Sequence, residues 1–168
     1  MQNLVLVVMG VSGSGKTTVA KGLAERLGWP FQEGDDLHPP ANVEKMAKGV
    51  PLTDDDRWPW LATVAEWIDT RLARGEPGVI TCSMLKRAYR DKVVRGKPGI
   101  RLVYLRGDKA VIAGRMAKRK GHYMPTSLLD SQLATLEPPG PDEDPLVVPI
   151  DGSIEEMVDA AERIVRQA

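Results

Sequence analysis

Short, mostly apolar runs recur along the chain as five candidate strands: "LVLVVM" at 4–9, "PFQEGD" at 30–35, "GVITCS" at 78–83, "RLVYLR" at 101–106 and "LVVPID" at 146–151. Apart from "PFQEGD", they are rich in Val, Leu and Ile and show little alternation with polar residues, which is the pattern of strands buried on both faces. Periodicity alone does not separate such runs from short buried helices, but their even spacing favours strands. Between them the period changes. Leu61, Val64, Ala65, Ile68 and Leu72 fall on one face of a 3.6-residue helix, as do Ile154, Met157, Val158, Ala161 and Val165. Ser153 and Glu156 have the spacing of a capping box at the start of that last helix. Strands alternating with helices predict an α/β fold, a parallel sheet with helices on both faces. The Pro-rich stretch "EPPGPDEDP" at 137–145 reads as a loop before the last strand, and residues 1–168 are expected to form a single domain.

Charge and cysteine content narrow the partners. Lys+Arg and Asp+Glu both number 23, so no overall basic field recruits nucleic acid or anionic lipid, and any anion site must be local. The one cysteine, Cys82, cannot form an internal disulfide, and no Cys/His spacing suggests structural zinc. No Lys or Arg precedes the first apolar run, which is far too short to cross a bilayer. The expectation is a soluble, cytoplasmic protein without membrane or nucleic-acid partners.

The first run leads into "GVSGSGKT" at 10–17. Gly10, Gly15, Lys16 and Thr17 match G-x-x-x-x-G-K-[ST], with Val11, Ser12, Gly13 and Ser14 between them, and the motif has the strand before it and helix after it that it requires. Glycines there let backbone N–H groups converge on phosphate oxygens at the positive end of a helix. Lys16 is expected to reach the β and γ phosphates of ATP, and Thr17 to offer its hydroxyl to Mg2+. The alternative, a turn that merely joins strand to helix, accounts for neither the spacing nor the Lys-Thr pair.

Phosphate binding names no reaction. The Asn-Lys-x-Asp and DxxG sequences of a GTPase are absent, and the third run ends in "TCS" without the acidic magnesium ligand of motors and nucleic-acid ATPases. Small-molecule and nucleoside-monophosphate kinases remain. The stretches "GDDLHPPANVEKMAKGVPLTDDDRWPWL" (34–61), "CSMLKRAYRD" (82–91), "LRGDKAVIAGRMAKRKGHYM" (105–124) and "LLDSQLATLEPP" (128–139) stand in the order found in the gluconokinases, and the chain resembles that family over well over half its length. Met84, Tyr123 and Asp36 depart from the family pattern. The resemblance implies a P-loop kinase fold with sheet order 2-3-1-4-5, a lid near 119–127, a homodimer, and ATP-dependent phosphorylation of D-gluconate to 6-phospho-D-gluconate. The other readings are a sibling kinase acting on shikimate, a nucleoside monophosphate or another sugar acid, and a nucleotide-dependent switch protein.

Gluconate is an anionic polyol, so its site needs a cation for the carboxylate and polar groups for the hydroxyls. The "GDDLHP" turn follows the second strand, where parallel sheets place ligands beside a P-loop. Related kinases carry an acid at this strand end, so Asp35 is expected to accept or orient the attacking hydroxyl; a turn acid capping the next helix is its alternative. His38 is a substrate candidate or a structural hydrogen bonder, and Ser83 is a further substrate candidate. Lys86, Tyr89 and Arg90 share a helical face, which is either an anion site or a solvated basic patch. A guanidinium takes a carboxylate in a bidentate fork, which makes Arg57 and Arg90 the candidates for the gluconate carboxylate.

The basic segment holds Arg115 and Arg119 one helical turn apart. The resemblance implies that Arg115 lies against adenine and that Arg119, on the lid, reaches the transferring phosphoryl group. A solvated helix end is the alternative, and His122 beside them is a lid or substrate candidate. Trp58, Trp60 and Trp67 are expected to be packing anchors and Cys82 an inert buried thiol. In "TDDDR", Asp54 suits a helix N-cap and the following acids its first turn, a reading preferred over a metal cluster.

Overall fold

The computed structural model describes residues 5–11, 14–94, 97–107, 110–112, 114 and 126–167. In chain order these form β1 (Val5–Met9), α1 (Lys16–Leu27), β2 (Phe31–Gln32), a 3₁₀ turn (Gly34–Leu37), α2 (Pro40–Ala47), α3 (Asp54–Ala73), β3 (Gly78–Thr81), α4 (Arg87–Val93), β4 (Ile100–Arg106), α5 (Thr126–Thr135), a second 3₁₀ turn (Pro141–Glu143), β5 (Leu146–Pro149) and α6 (Ile154–Gln167). The described strands make one parallel sheet in the order β2-β3-β1-β4-β5, the order that the family resemblance implies.

The central strand explains the unalternating apolar run. Leu6 and Val8 pack toward α1 and α6 with Val19, Leu23, Val158 and Ala161. Val5, Val7 and Met9 pack on the other face against Leu61, Val64 and Ile68 of α3 and Val93 of α4. All five β1 side chains are fully buried, so each position must be apolar whichever way it points. Ser153 and Glu156 exchange hydrogen bonds at the start of α6, forming the expected capping box. No described helix is long and apolar enough to cross a membrane.

Strand ends differ from the sequence pattern. The run at 30–35 pairs only through Phe31 and Gln32 before the chain turns at Gly34. A Cβ on Gly34 would lie 1.8 Å from the Thr81 carbonyl oxygen, so only glycine lets the turn press against β3. The N-cap of α3 is Thr53, not Asp54: the Thr53 hydroxyl accepts from the Asp56 N–H at 3.2 Å, and the Asp56 carboxylate accepts from the Thr53 N–H at 2.9 Å.

Arg90 has a structural setting that its sequence position conceals. Its side chain is 1% exposed and forks onto Glu143, with Nε donating at 2.6 Å and Nη2 at 3.2 Å, while Nη1 donates to the Met84 and Leu85 carbonyls. The guanidinium expected at the substrate carboxylate is therefore committed to the protein itself. It ties α4 to the turn before β5 and holds the backbone of Met84, a buried residue with φ of 36°. Burial alone would raise the Glu143 carboxyl, but Arg90 and the Gly140 N–H outweigh it and hold the group below its usual range.

Replacing Arg90 with Met leaves Glu143 and two carbonyls without their donor, and should cost ~3–5 kcal/mol in urea denaturation. Unchanged stability, with weakened substrate binding, would return Arg90 to the substrate site.

Candidate active site

The site begins where β1 ends. Gly15 has φ +93°, a left-handed conformation that suits glycine, and it caps α1 so that the helix N-terminus opens into the 10–17 loop. Ser14 is buried and its hydroxyl donates to the Val11 carbonyl at 2.7 Å. The Lys16 ammonium lies across the loop, donating to the Gly10 carbonyl at 2.9 Å and to that of Val11 at 3.2 Å. Ser12 and Gly13 lie outside the described residues, as do Arg115, Arg119, His122 and most of the lid segment.

A side chain absent from the sequence-based candidates joins this loop to its neighbours. The Thr17 hydroxyl donates to Glu33 Oε2 at 2.6 Å, and the Thr81 hydroxyl donates to Glu33 Oε1. Thr81 in turn accepts from the Gly34 N–H at 3.0 Å. Glu33 thus connects the phosphate-loop threonine, the end of β3 and the turn carrying Asp35. Its signal was visible, since an acid two residues before Asp35 lies at the same strand end. Thr17 and Glu33 offer hard oxygen donors, the type Mg2+ prefers, so these residues fit the ion. The consecutive acids of "TDDDR" do not form a metal cluster among the described residues.

Asp35 follows in the 3₁₀ turn and is solvent-exposed, so a ligand can reach it. Enough protein surrounds the carboxyl for burial to raise its pKa, an effect reinforced by Glu33 and opposed by Lys16. His38 stacks on the Trp60 ring with centroids 4.2 Å apart. Burial lowers its pKa and Arg57 lowers it further, against the opposite pull of Asp35, so the neutral imidazole is favoured. Asn42 Nδ2 donates to the Asp56 carbonyl at 2.8 Å, which fixes the orientation of its amide. The same nitrogen lies 3.2 Å from His38 Nδ1, which must then accept, leaving the proton on Nε2. Trp60 is more than a packing anchor: its indole N–H donates to the Gly34 carbonyl at 2.8 Å, so both backbone polar groups of Gly34, at the start of that turn, are held.

Beyond His38 lies a second group. Arg57 Nη1 is 3.3 Å from the Tyr89 hydroxyl and 3.6 Å from Asp54, while Lys86 is 3.4 Å from Asp54. Tyr89 donates its proton to Asp54. Asp35, His38 and Arg57 form a series of electrostatic neighbours leading from the phosphate loop to this group. Ser83 is half-buried in the loop after β3. Cys82 is buried and its thiol pushed well above its usual range, in keeping with an inert role. On the other side of the phosphate loop, Arg106, Gly107, Val111, Pro149, Ile150 and Asp151 line an open cleft of about 410 Å³ at the ends of β4 and β5.

Comparison with known proteins agrees in kind. The family described as "AAA domain" matches residues 5–139. The gluconokinase of Gluconobacter oxydans (strain 621H) is 59% identical over 138 residues, which cover 82% of this chain and 78% of that protein. The thermoresistant gluconokinase of Escherichia coli (strain K12) is 44% identical over 97% of this chain and 94% of its own length. The crystal structure of a gluconokinase from Sinorhizobium meliloti 1021 superposes with a TM-score of 0.88 at 48% identity, covering 99% of this chain and 94% of that one.

The start of α3, which carries Arg57, is held to α2 by a bond between Lys45 and Asp56. Lys45, then the Thr53 N–H, pull the Asp56 carboxyl down to about 2. Its native pKa lies below the unfolded value of about 3.9. The stabilisation is therefore complete above about pH 4 and disappears as pH falls toward about 2. Denaturation curves should show a shallower loss across that window in Asp56→Asn; an unchanged slope would contradict this.

Proposed function

The chain belongs to the gluconokinase family, and from that premise we propose that it transfers the γ-phosphoryl group of ATP to the primary alcohol of D-gluconate, yielding 6-phospho-D-gluconate. In this reading the product feeds carbohydrate-acid catabolism. The observation that carries the reading is the bond from Thr17 to Glu33, which fastens the phosphate loop to the turn bearing Asp35.

In this reading the loop from Gly10 to Thr17 cradles the phosphates through its N–H groups, and Lys16 leaves the loop carbonyls for phosphate oxygens. Thr17, with Glu33 behind it, would hold Mg2+, which when bound neutralises charge on the phosphates. Because the Thr17 proton is turned to Glu33, the lone pairs of its oxygen remain for the ion. Asp35 accepts the proton of the attacking hydroxyl, and its raised pKa makes it a better base than an ordinary aspartate. His38 donates from Nε2 to a substrate hydroxyl, and Ser83 serves the same polyol. Arg57 and Lys86 take the carboxylate end; Arg90 is left out of the substrate set because it is bound to Glu143.

The cleft at the ends of β4 and β5 is the place for adenine, with Arg115 against the base. Arg119 closes on the transferring group and His122 accompanies it on the lid. Phosphoryl transfer needs position and charge compensation more than covalent help, which suits a site made of backbone donors and fixed cations. A homodimer is the assembly that accompanies this reading.

With ATP and Mg2+, ADP release should require gluconate and be weak with shikimate, nucleoside monophosphates or sugars lacking the carboxylate. Asp35→Asn should lower turnover roughly 10²- to 10⁴-fold. Wild-type turnover in that variant would remove Asp35 as the base, and gluconate-independent ATP hydrolysis would favour the switch reading.

A further inference from the structure

Asp54 has no part in the roles assigned above. The cap of α3 is supplied by Thr53 and Asp56, so the helix start does not need this carboxylate. It accepts from the Tyr89 hydroxyl, while Lys86 Nζ lies 3.4 Å from both its oxygens and Arg57 3.6 Å from Oδ1. The two cations also flank the Tyr89 ring, Lys86 at 5.6 Å and Arg57 at 5.7 Å from its centroid. The side chains of Arg57, Lys86 and Asp54 are 32%, 37% and 49% exposed, so a solute can reach all three. Among the described residues this cluster holds two positive charges and one negative, a net charge of +1.

We propose that Asp54 is a specificity-determining residue: it sets the charge of the Arg57–Lys86 cluster so that one singly charged carboxylate neutralises it, against both neutral polyols and doubly charged polyol phosphates. The proposal rests on the gluconate reading above. A neutral polyol leaves the net positive charge of the cluster uncompensated. A dianion overshoots to net negative beside the Asp54 carboxylate. Tyr89 contributes by holding that carboxylate in place, so that it remains part of the cluster when a ligand arrives. A unit charge a few ångströms away, at a dielectric between those of protein surface and water, changes affinity by about tenfold for each added ligand charge. Salt should weaken the effect, because the groups are partly exposed.

Dissociation constants for D-gluconate and for D-glucitol 1-phosphate, which carries a phosphate where gluconate carries its carboxylate, test this by calorimetry on the full chain. Asp54→Asn should shift the preference about tenfold toward the phosphate, and Lys86→Gln should shift it away. The double variant, again at net +1, should return to within about twofold of wild type if the effect is one of charge count. High salt should shrink both shifts. A preference in Asp54→Asn equal to that of wild type overturns the proposal, as does a double variant that keeps the full shift of Asp54→Asn. Wild-type protein that folds yet binds no gluconate overturns the underlying substrate reading instead, which separates the two failures.

Discussion

A single carboxylate joins the two halves of this site. Glu33 stands at the end of β2 and accepts hydrogen bonds from two hydroxyls, that of Thr17 on the phosphate loop and that of Thr81 at the end of β3. The three residues come from separate elements, and two of those elements, β2 and β3, are sheet neighbours. Gly34 makes the approach possible by lacking a Cβ, and Trp60 fixes its carbonyl from α3. The turn that carries Asp35 is therefore set in place by the same bonds that orient the phosphate-loop hydroxyl. In P-loop ATPases an acid at the end of the third strand serves the metal. Here that strand ends in Thr81, and the acid bonded to it, Glu33, follows the strand beside it.

Two arginines show why residue type alone does not assign a role. Arg57 and Arg90 both looked suited to a substrate carboxylate. Arg90 is buried and its fork is matched by Glu143, so taking it from that partner would leave a carboxylate in the interior unpaired. Arg57 is about one-third exposed and lies beside a tyrosine and a second cation, where an incoming anion meets little desolvation cost. Burial and partner, which a single sequence does not record, decide between them.

The sheet was legible because buried parallel strands leave an apolar record whose even spacing separates them from short buried helices: β1 is covered on both faces, and its sequence is Val-Leu-Val-Val-Met. The phosphate loop was legible because its glycines answer a backbone requirement within eight residues. The Ser153 cap was legible for the same local reason. Glu33 was legible only as an acid at the strand end of Asp35; its hydroxyl partners, 16 and 48 residues away, were not, nor were the bonds from Asn42 to Asp56 and from Tyr89 to Asp54, which span 14 and 35 residues. The end of β2 was overextended because the close approach of Gly34 to Thr81 is a tertiary contact. Trp60 was read by its size, and only its neighbours reveal the second use of its indole N–H.

If Glu33 couples the two halves, nucleotide and acceptor must sense each other through it. Calorimetric titration of gluconate, with and without a non-hydrolysable ATP analogue and Mg2+, measures that coupling directly in the wild type and in Glu33→Ala. The account predicts that nucleotide tightens gluconate binding in the wild type, within the ~5- to 150-fold range usual for coupled sites, and has little effect in the variant. Equal tightening in both proteins would contradict it.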